Sequence, residues 1–214
     1  MSATKTERAK ALRYLRANDR VLREVIDAVG PFAMKVERKR FAMLVRSIIS
    51  QQISTGAARA IRLRLETLVA PNGITEASIG SLSTDELRTV GLSGQKARYL
   101  TDLSLKISSG EVKLNRIGRL SNENVIRELT QVKGIGRWTA QMFLIFSLGR
   151  LDVFPHDDLG VRSAIRDLYG FDELPCKDEC FEIAEAWSPY ESVASWYCWR
   201  SIDLRRQTNV DSAS

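Results

Sequence analysis

Apolar residues recur along this chain at helical spacing. Phe41, Leu44, Val45, Ile48 and Ile49 follow an i, i+3, i+4, i+7, i+8 series, with Lys39, Arg40 and Arg46 off the stripe, which predicts an amphipathic helix. Ile61, Leu65 and Leu68 continue the pattern in the next one. Thr84 before Asp85 and Glu86 reads as an N-cap with acids in the first turn. Leu103 and Ile107 mark another helix, ending near Gly110. From Trp138 to Leu148 the chain is apolar nearly all round (Ala140, Met142, Phe143, Leu144, Ile145, Phe146), which predicts a central, buried helix stopped by Gly149. Val161, Ile165 and Leu168 define an amphipathic helix beginning near Asp157. Ile183, Ala184 and Trp187, then Val193 to Leu204, predict the last two helices, broken at Ser188-Pro189. No alternating strand pattern recurs, and there is no internal repeat or low-complexity tract, so the class is all-α. The stretch 207–214 is polar and expected to fray.

Composition adds a partner. The 214 residues suffice for one well-cored domain or two small lobes, and 44% hydrophobic with 27% charged residues is ordinary for a soluble globule. A net charge of +6 and a pI near 9.4 point towards a polyanion. The N-terminus has no apolar core of signal-peptide length, and no run reaches membrane-span length, so the chain reads as cytoplasmic, without a membrane partner. Nothing in the pattern demands more than a monomer. Three cysteines, an odd number without an export signal, favour reduced thiols. With one histidine in the chain, a closed four-ligand metal site is not expected.

The candidate chemistry lies between Leu129 and Asp158. Gly134 and Gly136 permit positive φ and close approach of another backbone. The helix that follows starts near Arg137, so its first N–H groups and the positive end of its dipole suit a phosphate oxygen, with Lys133 and Arg137 adding charge. A tight helix–helix turn gives the same glycine spacing. Gly91-Leu-Ser-Gly94-Gln-Lys96 again places Gly and Lys before a helix, either as a second phosphate grip or as a simple turn. Gln51 and Gln52 end the first amphipathic helix, either both as caps or with Gln52 as a protruding polar tip. Four tryptophans (138, 187, 196 and 199) offer flat faces, most of them ordinary core candidates. Asp157 and Asp158 form a doublet at a helix start, where one carboxylate can cap while the other acts.

The segment VKGIGRWTAQMFLIFSLGRLDVFPHDDLGVR resembles the signature of the helix-hairpin-helix (HhH-GPD) DNA glycosylases, and most of all the compact single-domain branch of DNA-3-methyladenine glycosylase II. The likeness extends through FAMLVRSIISQQISTGAARAI, VGLSGQKARYL and EAWSPYESVASWYCWR, from about Phe41 to Trp199. It implies a glycosylase domain of two helical lobes over 1–206, with the active-site cleft between the lobes, acting on double-stranded DNA that contains damaged bases. By position, the catalytic aspartate falls on Asp158, with Asp157 as neighbour or cap. The intercalating residue falls on Gln52, a base-stacking aromatic on Trp199, and a further pocket wall on Trp138. Met142 stands where the larger bacterial relative has an aromatic pocket residue. DNA contacts are implied for Lys133, Gly134, Gly136, Arg137, Thr139, Gly94 and Lys96. Trp138 occupies the position of the Schiff-base lysine of bifunctional relatives such as endonuclease III, which argues against lyase activity. The iron–sulfur cysteine cluster of endonuclease III is also missing. The resemblance further implies a monovalent cation, Na+ or K+, on the backbone carbonyls of Thr130, Val132 and Ile135.

The implied reaction suits one carboxylate. An N3- or N7-alkylated purine is cationic and leaves as a neutral molecule, so no general acid is required. Asp158, ionised, then stabilises the oxocarbenium-like sugar and orients water. His156, beside the doublet, is read as a local hydrogen-bonding or exposed residue. Two other functions stay open on the sequence: a glycosylase for deaminated or oxidised bases, and a non-catalytic DNA-binding module that uses the hairpin as a clamp. Location in the nucleus follows if the source is eukaryotic.

Overall fold

A computed structural model describes residues 4–211, and every regular element among them is helical. The chain divides into two compact units: 1–36 with 148–214, and 37–147.

The first unit, within its described residues, contains α1 (Lys5–Asn18), α2 (Arg20–Val29), α10 (Leu159–Tyr169), α11 (Lys177–Glu185) and α12 (Glu191–Asp211). Helix α12 packs on α2, α10 and α1, and it runs to Asp211, so 207–211 are helical rather than a loose tail. Positions 212–214 lie outside the described residues. The two N-terminal helices are missed by the pattern. In α1 only Ala11 and Leu15 are buried, too sparse a stripe to register, whereas Leu22, Val25 and Ile26 of α2 do form an i, i+3, i+4 set.

A buried carboxylate organises this unit. Asp19 caps α2 by accepting Leu22 N–H at 2.8 Å, while its Oδ2 accepts the Trp187 indole N–H at 2.8 Å and the Tyr169 hydroxyl. Burial and the adjacent Asp19 carboxylate push the Tyr169 hydroxyl far above the ordinary phenol pKa. Asp19→Ala removes the cap and strands two buried donors. It is expected to cost about 2–4 kcal/mol, read as a fall in the urea midpoint at unchanged m.

The second unit contains α3 (Arg40–Ser50), α4 (Thr55–Leu68), α5 (Glu76–Gly80), α6 (Thr84–Thr89), α7 (Gly94–Ser108), a 3-10 turn (Ile117–Arg119), α8 (Asn122–Leu129) and α9 (Arg137–Phe146). Helix α3 is its hub: Phe41, Leu44, Val45, Ile48 and Ile49 are buried as the spacing predicts, against α4, α7 and α9. Helix α9 is buried along Thr139–Ile145, the central helix expected from its apolar run. Entry and exit of the chain are tied together, with Glu37 N–H donating to Phe146 O at 2.8 Å and Ser147 Oγ to Glu37 O at 3.0 Å. Helix α6 is capped by Ser83, not Thr84: Ser83 and Glu86 form a reciprocal capping box, which moves the start by one residue. Leu68, placed on the apolar stripe of α4, is 40% exposed at the end of that helix.

Candidate functional site

The hairpin lies between α8 and α9. Val132 and Ile135 anchor it in the core, at 1% and 4% exposure, and Gly134 turns it at φ 83°. The conformation is only half of the reason for glycine there. A Cβ on Gly134 would stand 2.1 Å from Cδ2 of Tyr99, whose ring lies flat against the turn. Helix α9 then begins with Gly136 as its N-cap, a residue without a capping side chain. The backbone N–H groups of its first turn are those that an α-helix does not use internally. Such an end suits an anion.

The residues around the turn divide into those that face solvent and those that do not. Lys133 is exposed, but its backbone N–H is held by Asp102 Oδ2 at 2.8 Å. Arg137 is engaged in a two-pronged pair with Glu123, at 2.5 and 3.1 Å, so its charge at the turn is offset. Thr139 is 4% exposed. Its side chain belongs to the buried face of α9, so a contact there is left to its backbone N–H in the first turn of the helix. Trp138, one residue earlier, is 42% exposed, and Met142 lies one helical turn deeper at 7%.

Lys96 is also turned inward. Its Nζ donates to the carbonyls of Ile49 at 2.7 Å and Gln51 at 2.6 Å, the C-terminal end of α3, and burial lowers its pKa from the ordinary lysine value. The ammonium is therefore a clamp on α3 and not an open phosphate ligand. Gly94 is the first residue of α7, whose N-cap Ser93 accepts the Lys96 N–H; a Cβ at Gly94 would meet only Arg98 Nη1, at 3.6 Å. The Lys96 side chain thus favours the simple turn of the two readings for Gly91–Lys96.

Gln52 stands just beyond α3, exposed, at φ 56°. It is the one non-glycine residue with positive φ among the described residues. Gln51 is turned the other way, its Nε2 donating to Gly134 O at 2.8 Å. Gln51 was read only as a cap. No local signal marks its bond to a residue 83 positions away.

In the first unit, Asp158 and Trp199 meet. Asp158 is the N-cap of α10: its Oδ1 accepts Val161 N–H at 2.8 Å and Trp199 Nε1–H at 2.8 Å, and the residue is 8% exposed. The division of labour in the doublet is thus different from the expectation. Asp157 does not cap; its side chain is 58% exposed, with Oδ1 2.9 Å from His156 Nδ1. Asp158 takes the cap because α10 starts one residue later, at Leu159. His156 is buried beside Phe181, with ring centroids 5.2 Å apart, and is not an exposed residue.

Gly160 completes this arrangement and was missed. A Cβ there would lie 3.0 Å from Asp158 Oδ1, 3.1 Å from Trp199 Cδ1 and 3.2 Å from its Nε1. A side chain at residue 160 would crowd both the indole and the carboxylate, which would have to give by a few tenths of an ångström. The available signal was a glycine inside the first turn of a helix, where it costs about 1 kcal/mol relative to alanine.

A hairpin shaped for an anion, an exposed strained residue beside it, and a helix-capping carboxylate bonded to an indole form a recognisable set. A family model described as "HhH-GPD superfamily base excision DNA repair protein" matches residues 45–189. The chain belongs to this superfamily. DNA-3-methyladenine glycosylase 1 of Schizosaccharomyces pombe is 34% identical over 95% of the chain and 91% of its own length. The solved structure of the 3-methyladenine DNA glycosylase of that yeast, in complex with abasic DNA, superposes with a TM-score of 0.82 at 34% identity, over 89% of this chain and 95% of that one. A DNA-3-methyladenine glycosidase from Bacillus halodurans gives 0.82 at 35% identity, over 89% and 88%. The all-helical HhH-GPD fold expected from the sequence is therefore present. Among the described residues no helix is long and apolar enough to cross a membrane.

Proposed function

We infer that this HhH-GPD chain is a monofunctional DNA glycosylase that hydrolyses the N-glycosidic bond of alkylated purines, 3-methyladenine and 7-methylguanine, in base excision repair. The observation that carries the reading is Asp158, capping α10 and bonded to Trp199, the residue on which the resemblance puts the family's catalytic carboxylate. The S. pombe relative is named for 3-methyladenine and has been seen with abasic DNA, which supports the same substrate and partner here.

The steps follow from the chain's own residues. Gripping of phosphate by the Lys133–Arg137 hairpin fixes the duplex through backbone N–H groups. Gln52 enters the stack as the lesion leaves it, at a cost of a few kcal/mol for unstacking. An alkylated purine is cationic, and an indole face attracts it by about 0.5–2 kcal/mol. Exposed Trp138 supplies such a face, with Met142 one helical turn behind it, and the Trp199 indole offers another. As the base departs neutral, positive charge develops on the sugar, and Asp158 stabilises it and orients the water that completes hydrolysis. Trp199 also acts through Asp158: its N–H fixes the carboxylate that must face the sugar.

Gly160→Ala tests that last link. The new methyl crowds the carboxylate and the indole, which must shift by a few tenths of an ångström and lengthen or bend their bond. Single-turnover base release is expected to fall about tenfold or more. Helix propensity offers α10 up to about 1 kcal/mol in return, so thermal stability should not fall in parallel.

No cofactor is proposed for bond cleavage and no iron–sulfur cluster. A monovalent cation fits the hairpin only through the carbonyls of Thr130, Val132 and Ile135; Val132 O already accepts Ile135 N–H at 3.1 Å and would use its second lone pair. The chain is read as a monomer acting on double-stranded DNA, in the cytoplasm or, in a eukaryote, the nucleus. A panel of duplexes carrying methylpurines, deaminated bases or 8-oxoguanine tests the substrate class. Release confined to methylpurines supports the reading; release of deaminated or oxidised bases alone overturns it. Borohydride trapping should yield no covalent enzyme–DNA adduct.

A further inference from the structure

Helix α7 serves both DNA-directed elements of its unit. Gln95, Tyr99, Asp102 and Lys106 stand at i, i+4, i+7 and i+11, on one face. Along that face the Tyr99 ring lies against Gly134, Asp102 holds the Lys133 N–H at 2.8 Å, and Lys106 Nζ donates to Gln131 O while pairing with Asp102 at 3.3 Å. These contacts fix the hairpin. Lys96, next to that face, holds the other element, through the carbonyls of Ile49 and Gln51. Gln51 closes the circuit with its bond to Gly134 O. Between these tethers Gln52 sits exposed in the left-handed region, a conformation that disfavours a non-glycine residue. Such a conformation persists only where its surroundings over-determine it. Here the surroundings are Lys96 and Gln51.

Resting on the glycosylase reading above, we propose that Lys96 and Gln51 are positioning residues for Gln52. They lock the turn after α3 to the hairpin, so that a phosphate held by the hairpin sets Gln52 in register with the stack before the lesion moves. The ordering of Gln52 is thus met on folding, not on binding. Lys96 is given a role that its basic side chain disguises, and Gln51 a role distinct from that of its neighbour.

The test separates positioning from phosphate contact. Lys96→Met, Gln51→Ala and Gln52→Ala are compared with wild type by 2-aminopurine fluorescence in a duplex with a tetrahydrofuran abasic analogue, which reports insertion without bond cleavage. Single-turnover base release and the salt dependence of binding to undamaged duplex are measured beside it. Each variant is expected to lose the insertion signal and about 10- to 100-fold in base release, with an unchanged salt slope. Lys96→Met combined with Gln52→Ala should be no worse than Gln52→Ala alone, and Lys96→Arg should recover most of the loss. A salt slope reduced by about 0.9 with insertion intact would make Lys96 a phosphate contact and overturn the proposal. Losses that multiply in the double variant would overturn it too. Should Lys96→Met unfold, the Gln51→Ala and Gln52→Ala cycle decides by the same rule. Insertion without any base release by wild type would defeat the glycosylase reading and leave the positioning claim standing.

Discussion

Asp158→Asn is expected to abolish base release while leaving the fold and DNA affinity in place. The two consequences separate because Asp158 has two roles. As N-cap it accepts Val161 N–H, and through the same oxygen it accepts Trp199 Nε1–H. Asparagine caps a helix about as well as aspartate and its amide oxygen can take both donors, so α10 keeps its start. What asparagine lacks is the negative charge that faces the developing sugar cation. Loss of one preorganised electrostatic contact of this kind costs about 10²–10³-fold or more in rate. Asp158→Ala gives the contrast: the same loss of activity, and about 1 kcal/mol of stability as well. Single-turnover release from methylated duplex and thermal denaturation, run on both variants, check the pair. Equal activity in wild type and Asp158→Asn would remove Asp158 from the chemistry.

Gly134→Ala should do comparable damage for a different reason. The alanine must hold φ near 83° and its Cβ must enter the Tyr99 ring, 2.1 Å from Cδ2. The first costs roughly 1–2 kcal/mol and the overlap another 1–3, so the turn moves instead of bearing both. Movement takes with it the Gly134 carbonyl that holds Gln51. DNA affinity is expected to fall at least tenfold, with stability lowered by about 2–4 kcal/mol, in a filter-binding and urea-denaturation comparison. Gly136→Ala is the control, since a Cβ at Gly136 meets nothing within 4 Å and its φ is −92°. Affinity loss in that control equal to Gly134→Ala would mean that the hairpin needs glycine for some reason other than Tyr99.

The periodic signals carried most of the fold because they are local. Helices α3 and α10 show buried residues at helical spacing, and α9 shows an unbroken apolar run; tertiary packing agrees with both kinds of signal. Helix α1 has almost no stripe to read, since packing rather than pattern buries its two residues. The candidate site was legible where a residue type is needed by the backbone or the chemistry. Gly134 is of this kind, whereas Gln52 and the choice of Asp158 within its doublet rest on the resemblance. It was misread where a distant partner decides the role. Lys96 beside a glycine turn looks like a phosphate ligand, yet carbonyls 45 and 47 residues away claim it. Asp157 and Asp158 are equivalent caps by type, and the bond from Trp199, 41 residues on, belongs only to the second. Thr139 at a helix start gives no local sign that its side chain lies on the buried face of α9. Gly160 matters for a contact between two side chains, neither of them its own.

The central claim is that this chain cleaves the glycosidic bond of alkylated purines with Asp158. It is tested most directly by incubating the wild-type protein with methylated duplex DNA and separating the released bases by chromatography, with Asp158→Asn beside it. Free 3-methyladenine or 7-methylguanine from wild type, and none from the variant, is the predicted result. No release from wild type under conditions where it binds the same duplex would contradict the account and leave a DNA clamp in its place.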